Sequence, residues 1–289
     1  MNSTSYTISA NKAKNIVDFY AKNLIEKDGI YFSGDVGKIS YPADGNDICF
    51  RLEDNSFWFR HRNNCITALV KRYAKDSVFF DIGGGNGFVS KGLEESGITT
   101  CLVEPGVYGC LNAKKRGLAN VINSDLKNAG FIEGVISAAG LFDVIEHIDD
   151  DIDFLYNINT YMSDGGVLFI SVPAYALLWS KEDADAGHYR RYMMRKLKKK
   201  LAIAGFETVY STYIFSFLVP PIFLFRTVPS LLGISKGGTE KGEREHRVGA
   251  DSISSKLLKR LMDFEAGHIE RGRRIPFGGS CLVVAEKKC

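Results

Sequence analysis

The stretch Phe79-Phe80-Asp81-Ile82-Gly83-Gly84-Gly85-Asn86-Gly87 decides the fold. Its first four residues form an apolar run broken only by an acid. Its end is a string of glycines leading into Phe88, Val89 and Leu93, which share one helical face. The reading is a buried strand that turns sharply into a helix. Glycines at such a turn let the backbone bend and let a ligand approach main-chain atoms that a Cβ would shield. The spacing is D-x-G-x-G-x-G. A dinucleotide fingerprint would be G-x-G-x-x-G, and Phe88 stands where its last glycine belongs, counting from Gly83.

Outward from this turn, apolar runs alternate with helical stretches. Thr100–Val103 reads as a strand, Val107–Arg116 as a helix, Val121–Ile122 as a short strand, and Val135–Phe142 as another apolar run. A helix around Ile152–Met162 precedes Gly165-Gly166 and the strand Val167–Val172. Strands that are apolar throughout, separated by helices, predict an α/β fold with a parallel, doubly wound sheet. Beyond Pro173 a basic helix, Tyr192–Ala204, carries Met193, Leu197, Leu201 and Ala204 on one side and stops at Gly205. Thr208–Phe215 and Ser280–Ala285 read as the last strands. Upstream, Ser9 is placed as the cap of a helix carrying Ile16, Tyr20 and Leu24 and ending near Gly29. Residues 29–56 read as loop, and the cluster Phe57–Arg62 leads into a helix through Ile66, Leu69, Val70 and Tyr73. Ser235–Gly249, rich in Lys, Glu, Arg and Gly, reads as mobile.

The 289 residues are 45% hydrophobic and 25% charged, enough for a sizeable core. With 37 basic and 34 acidic residues, the net charge of +3 is too balanced to point to nucleic acid. Cysteines 49, 65, 101, 110, 281 and 289 show neither C-x-x-C spacing nor a neighbouring His at ligand spacing, so reduced thiols and no metal are expected. Met1–Ala10 is polar, which predicts no signal peptide and a cytoplasmic protein. The most apolar stretch, Tyr213–Phe225, is interrupted by Pro220 and Pro221 and falls short of the ~20 residues a spanning helix needs. It reads as a buried or interfacial segment.

Glu104 ends the second strand of this pattern and is followed by Pro105; an acid there can accept both hydroxyls of a ribose. Asp125, followed by Leu126, stands after the third and either accepts from an adenine amino group or caps its own turn. The fourth runs into Leu141-Phe142-Asp143-Val144-Ile145-Glu146-His147-Ile148. Together these segments resemble the class I S-adenosylmethionine-dependent methyltransferase family, from about residue 57 to the terminal run Gly278–Lys288. The resemblance implies a Rossmann-like, seven-stranded, mostly parallel sheet of order 3-2-1-4-5-7-6. It further implies an N-terminal helical and loop extension over 1–60, a transfer domain over 61–289, and an insertion at about 216–277. The implied cofactor is S-adenosyl-L-methionine, leaving as S-adenosyl-L-homocysteine. By the same resemblance Asp81, Gly83, Gly85 and Gly87 frame its methionine part, Glu104 with Pro105 holds the ribose, Asp125 and Leu126 the adenine, and Phe142 with His147 lines the reactive side. This cofactor carries no pyrophosphate, and its cationic amino group and sulfonium favour a nearby carboxylate such as Asp81.

A methyl group on a sulfonium is already activated, so the protein must mainly align the nucleophile and exclude water. A base helps if the nucleophile is a hydroxyl, and His188 and His147 are the candidates. His147 has a second reading, orienting its loop through a backbone hydrogen bond. His188 opens His188-Tyr189-Arg190-Arg191-Tyr192, a run that resembles a subgroup encoded among polysaccharide and lipid-linked sugar genes. Tyr189, Arg190 and Arg191 suit a phosphate or carboxylate on the acceptor; alternatively the arginines pair with Asp183 and Asp185. Trp58 and Arg62 read as acceptor-binding residues in a cluster that closes over the cofactor as a lid, or as a core plug with Arg62 solvated. Lys196, Lys198, Lys199 and Lys200 mostly face outward, and with 213–225 suit peripheral contact with an anionic membrane. The expected activity is methyl transfer, at oxygen, to a small molecule, sugar or lipid-linked glycan. Two rivals are an NAD-dependent oxidoreductase and a non-catalytic binder of the same cofactor. Nucleic acid as acceptor is disfavoured, because Phe142-Asp143-Val144-Ile145 stands where an Asn-Pro-Pro-Tyr-like motif would be.

Overall fold

The apolar runs assemble into one mixed sheet in a computed structural model that describes residues 16–34, 49–232 and 253–288. Its strands are β1 (Ile25–Lys27), β2 (Ile30–Phe32), β3 (Phe79–Ile82), β4 (Thr100–Val103), β5 (Val121–Asn123), β6 (Ile136–Phe142), β7 (Met162–Pro173), β8 (Phe206–Ile214) and β9 (Ser280–Lys287). They lie in the order β1-β2-β5-β4-β3-β6-β7-β9-β8. Strands β2 to β7 that neighbour one another pair in parallel, whereas β9 runs antiparallel to both β7 and β8 and β1 antiparallel to β2. The central strands β3 and β4 are buried at every position. Alternation along β3 sends Phe80 into one core with Val103, Leu141 and Ile170, and Phe79 into the other with Phe142, Phe169 and Leu282.

The expected seven strands and their numbering are corrected to nine. The difference is the hairpin β1–β2, turned by Asp28 (φ +53°) and Gly29 (φ +75°), which adds to the sheet edge at β5. The predicted first helix is likewise corrected. Ile16–Phe19 is a single 3-10 turn, and Ile16, Tyr20 and Leu24 pack as an edge cover on the main core, with the Tyr20 ring 4.7 Å from that of Phe80. The stretch 29–56 is not all loop either, since it holds β2 and a helical turn at 49–53. The Ser9 cap and the Ser235–Gly249 segment lie outside the described residues.

The helices are α1 (Phe57–Tyr73), α2 (Phe88–Glu95), α3 (Val107–Lys115), α4 (Asp151–Tyr161), α5 (Lys181–Asp185), α6 (Met194–Ile203) and α7 (Ile253–Glu270). A run of short helical pieces, Val219–Ile222, a π-turn Phe223–Thr227, and Val228–Leu231, lies between β8 and α7. Helix α1 buries Cys65, Ile66, Leu69 and Val70. Its His61 bonds Glu265 of α7 at 2.7 Å, and Glu265 also accepts from the backbone N–H groups of Phe215 (2.6 Å) and Ser216 (3.0 Å). One buried carboxylate thus ties α1, α7 and the end of β8. The turns that follow β3, β4, β5, β6 and β7 open on the carboxyl edge of the parallel strands, where open α/β sheets bind ligands.

Candidate functional site

Strand β3 carries Asp81 into complete burial. Its Oδ2 accepts from Ser90 Oγ of α2 at 2.7 Å, and its Oδ1 has no partner. Burial pushes this carboxyl up to about 6, against the Ser90 hydrogen bond and the Arg62 charge, which pull it down. The chain then passes Gly83 (φ +70°) and Gly85 (φ +54°), a left-handed region that side chains other than glycine rarely adopt. A Cβ on Gly83 would stand 2.9 Å from Val144 Cγ2, whereas one on Gly85 would meet nothing within 4 Å. The turn is packed behind and open in front. Gly87, at the start of α2, lies behind it against Leu118 and Ala113.

Glu104, beyond β4, spends one lone pair of each oxygen on this architecture. Oε1 accepts from Gly106 N at 2.6 Å and Oε2 from Gly85 N at 2.9 Å. Burial raises it to about 6, those bonds oppose, and the Asp81 charge adds to the rise. Asp125 caps its own turn through Asn128, accepting from the backbone N–H (2.8 Å) and side-chain amide (2.7 Å), while Leu126 beside it is buried. Phe142 stacks on Phe79 with ring centroids 6.1 Å apart.

At the end of β6 the backbone adopts φ +56° at Asp143, a conformation costly for a non-glycine residue and concentrated at functional sites. Asp143 accepts from Arg62 of α1 and from Ser171 Oγ of β7 (3.0 Å). Arg62 is therefore buried in an ion pair, which corrects the picture of it as solvated. Three residues on, Glu146 is wholly buried and neither carboxylate oxygen has a hydrogen-bond partner. Burial, aided by the Asp143 charge, pushes it well above the usual carboxylate range. The His147 ring meets His188 edge to face, centroids 4.7 Å apart. Burial first, and His188 second, hold His147 down to about 4, while a hydrogen bond with the Gly187 backbone works the other way.

His188 Nδ1 bonds Asp183 Oδ1 at 2.9 Å, and the same oxygen accepts from Arg191 Nε at 2.8 Å. Asp183 Oδ2 accepts from Ser180 N at 2.9 Å, closing the capping box of α5. Burial by itself would raise Asp183, but the bonds from His188 and Arg191 outweigh it and hold the carboxyl at about 2. Arg190 donates to the Asp149 carbonyl (2.7 Å) and stands 3.2 Å from Asp151. Both guanidiniums are thus engaged with carboxylates of the protein. Asp185 pairs with Lys181 instead of an arginine. Lys200 is turned inward to Asp151 at 2.5 Å, a correction to its outward placement.

These groups surround one cavity of about 850 Å³, within the usual range for small-molecule sites. Asp81, Gly83, Gly85, Glu104, Pro105, Asp125 and Leu126 line it. Phe142, His147, His188, Arg191, Arg62 and Trp58 line it as well, and Trp58 stacks on Phe215 at 3.7 Å. Gly87, Tyr189 and Arg190 are not on its wall, and Tyr189 is exposed. Sequence reading gave no site role to Asp143, Glu146 and Ser280 and named Asp183 only as a partner for the arginines, as Arg191 finds it; all four line the cavity. The signal for the first two was an acid at each end of a tetrad closing a buried strand. Asp183 stood five residues before a titratable ring. The residues able to receive an adenosyl amino acid are the unpartnered Asp81 oxygen, the open face of Gly85 and the remaining lone pairs of Glu104. Among the described residues, those able to hold a metal are Glu146, His147 and His188.

A family profile described as "Methyltransferase domain" matches residues 58–211. Among solved structures, a chain of the complex between the Haloferax volcanii Trm112 methyltransferase activator and a methyltransferase is similar at TM-score 0.57 and 13% identity, covering 87% of this chain and 100% of that one. Phosphoethanolamine N-methyltransferase 2 of Haemonchus contortus, in complex with S-adenosyl-L-methionine, is similar at TM-score 0.53 and 14% identity, covering 89% of this chain and 61% of that one. No curated protein sequence matches the chain.

Proposed function

The chain belongs to the methyltransferase-domain family, and from that premise we propose that it takes S-adenosyl-L-methionine as its cofactor and transfers the methyl group to an oxygen of a small molecule, sugar or lipid-linked glycan. The observation that carries the site assignment is Asp81 Oδ1, a buried carboxylate oxygen without a partner on the wall of the cavity. A bound ammonium supplies the donor that oxygen lacks. Glu104 keeps a free lone pair on each oxygen for the ribose hydroxyls, with Pro105 beside it, and Asp125 and Leu126 receive the adenine. Gly83, Gly85 and Gly87 shape the bend that admits the ligand, and Phe142 with His147 borders its reactive side.

When bound, the cofactor supplies a methyl group already activated on sulfonium. The protein has to hold the acceptor in line and keep water out, a task for Trp58 and the aromatic wall around it. Proton handling falls to His188 and His147. Asp183, anionic throughout the working range, fixes the tautomer of His188 by accepting from Nδ1, which leaves the far ring nitrogen to take a hydroxyl proton. Arg62 and Arg191 stiffen the acceptor wall through Asp143 and Asp183, and Tyr189 and Arg190 stand outside it, placed to meet an extended acceptor at the rim. The segment 216–277, from which Ile222 reaches the cavity, serves as the acceptor or interface element of a transfer domain spanning 61–289, with 1–60 as its extension. Exposed Leu224 and Phe225 suit a peripheral contact with the membrane that would carry a lipid-linked acceptor. Among the described residues no helix is long and apolar enough to cross a membrane.

Calorimetric titration separates the readings. Affinity of about −8 kcal/mol is expected for S-adenosylmethionine, a micromolar dissociation constant, and none for NAD. Binding of NAD instead would overturn the assignment. A methyl-transfer screen over sugars, lipid-linked glycans and phenols then tests the acceptor class, and transfer to none of them with the cofactor bound would favour a non-catalytic binder.

A further inference from the structure

We propose that Glu146, His147 and His188 form a divalent-cation site in the acceptor half of the cavity, with Asp183 orienting His188 from behind. The expectation of no metal came from the spacing of ligands along the sequence, and this cluster is assembled by two separate loops. One donor atom from each residue lies within 4.8 Å of the others. Nitrogen and oxygen ligands sit about 2.0–2.2 Å from an ion such as Zn²⁺, so closing on it requires only small side-chain rotations.

Glu146 is the residue that points to a ligand. It is wholly buried, it lines the cavity, and neither of its carboxylate oxygens accepts a hydrogen bond. A buried carboxylate is retained at such a cost when it is paired or coordinates a metal, and no cation of the protein bonds it. His188 supplies the second argument. Its Nδ1 is committed to Asp183 at 2.9 Å, which leaves Nε2 as the coordinating atom, a role that replaces its role as base whenever the ion is bound, and reproduces the carboxylate–histidine arrangement found behind metal ligands. Asp183 is itself locked by Arg191 and Ser180, so the ring is held before any ion arrives.

Two imidazoles and one carboxylate suit Mn²⁺, Fe²⁺, Co²⁺, Ni²⁺ or Zn²⁺ better than Mg²⁺ or Ca²⁺, which favour all-oxygen sets. Three protein ligands leave open positions for an oxygen of the acceptor. An acceptor presenting a hydroxyl beside a second oxygen would gain most. What the ion does rests on the methyl-transfer reading; whether it binds does not.

The test is calorimetric titration of the metal-stripped full chain with Mn²⁺ and Zn²⁺, together with the visible absorption of the Co²⁺-loaded protein. One ion per chain is expected, with Glu146→Gln and His188→Gln each weakening it at least 100-fold and Asp183→Asn by about 10- to 100-fold. Thermal melting of the metal-free variants reports whether each folds, and the two ligand variants check one another. No binding, or binding that survives both ligand substitutions, overturns the proposal. S-adenosylmethionine titrated in EDTA reports on the cofactor site alone: retained affinity there beside absent metal binding would sink the cation site and leave the cofactor reading standing.

Discussion

Replacing Asp81 by Asn should move stability and affinity in opposite directions. The carboxyl is completely buried and raised from 3.8 to about 6, so keeping it ionised at pH 7 costs the folded apo chain up to about 3 kcal/mol. The sign follows from linkage. An acid whose folded value is raised destabilises the fold progressively as pH climbs from its unfolded value towards its folded one, and the full cost is present above about pH 6. Asn keeps an oxygen for Ser90 Oγ, now 2.7 Å from Oδ2, and removes the charge. After relaxation we expect the apo variant to be more stable by about 1–2 kcal/mol, a melting temperature higher by roughly 2–8 °C at pH 7 and unchanged near pH 4. The cofactor's ammonium loses a charge-assisted bond worth about 1.5–3 kcal/mol and faces an amide N–H₂ in its place, so affinity should fall roughly 10- to 150-fold. Differential scanning calorimetry and isothermal titration read the two quantities on the same sample. A variant less stable than the parent at pH 7, or one binding S-adenosylmethionine as tightly, would refute the reasoning.

Three further outcomes follow from the same geometry. Gly85→Val forces a β-branched residue into φ +54° and points its side chain into the cavity, so calorimetry should show cofactor binding weakened at least 100-fold with the fold retained by circular dichroism. Asp81 and Glu104 are both raised to about 6, and only their ionised forms favour a cationic ligand, so affinity should strengthen from pH 5 to 7 and level off above; a flat profile would count against either acid touching it. Glu265→Ala strands His61 and the N–H groups of Phe215 and Ser216, so thermal melting should show a loss of about 3–5 kcal/mol, whereas a drop below 1 kcal/mol would mean the clamp between α1 and α7 is dispensable.

The parallel strands were legible because burial on both faces writes a continuous apolar run, as in Phe79–Ile82 and Thr100–Val103. The hairpin β1–β2 was not read, although Asp28-Gly29 is a two-residue turn signal. Its strands are three residues long, β1 is exposed throughout, and Ile16, Tyr20 and Leu24 offered a competing helical period. The convergence of Asp81, Glu104 and Asp125 on one cavity was legible because each stands at or just beyond a strand end, where the sheet itself brings them together. The pairing of the His188–Arg191 stretch was not. Whether Arg190 and Arg191 meet a ligand or a carboxylate of the protein depends on where Asp149, Asp151 and Asp183 fold, and the chain closes those pairs across up to 41 residues. Glu146 looks in sequence like any surface acid beside a histidine. Only packing removes its water and its partners.

The position of the adenosyl sulfonium decides the site most directly. A crystal structure of the full chain grown with S-adenosylmethionine should show its amino group on Asp81 Oδ1, its backbone approach over Gly85, and its ribose hydroxyls on Glu104. Density for the ligand elsewhere, with the β3 bend filled by side chains, would contradict the account.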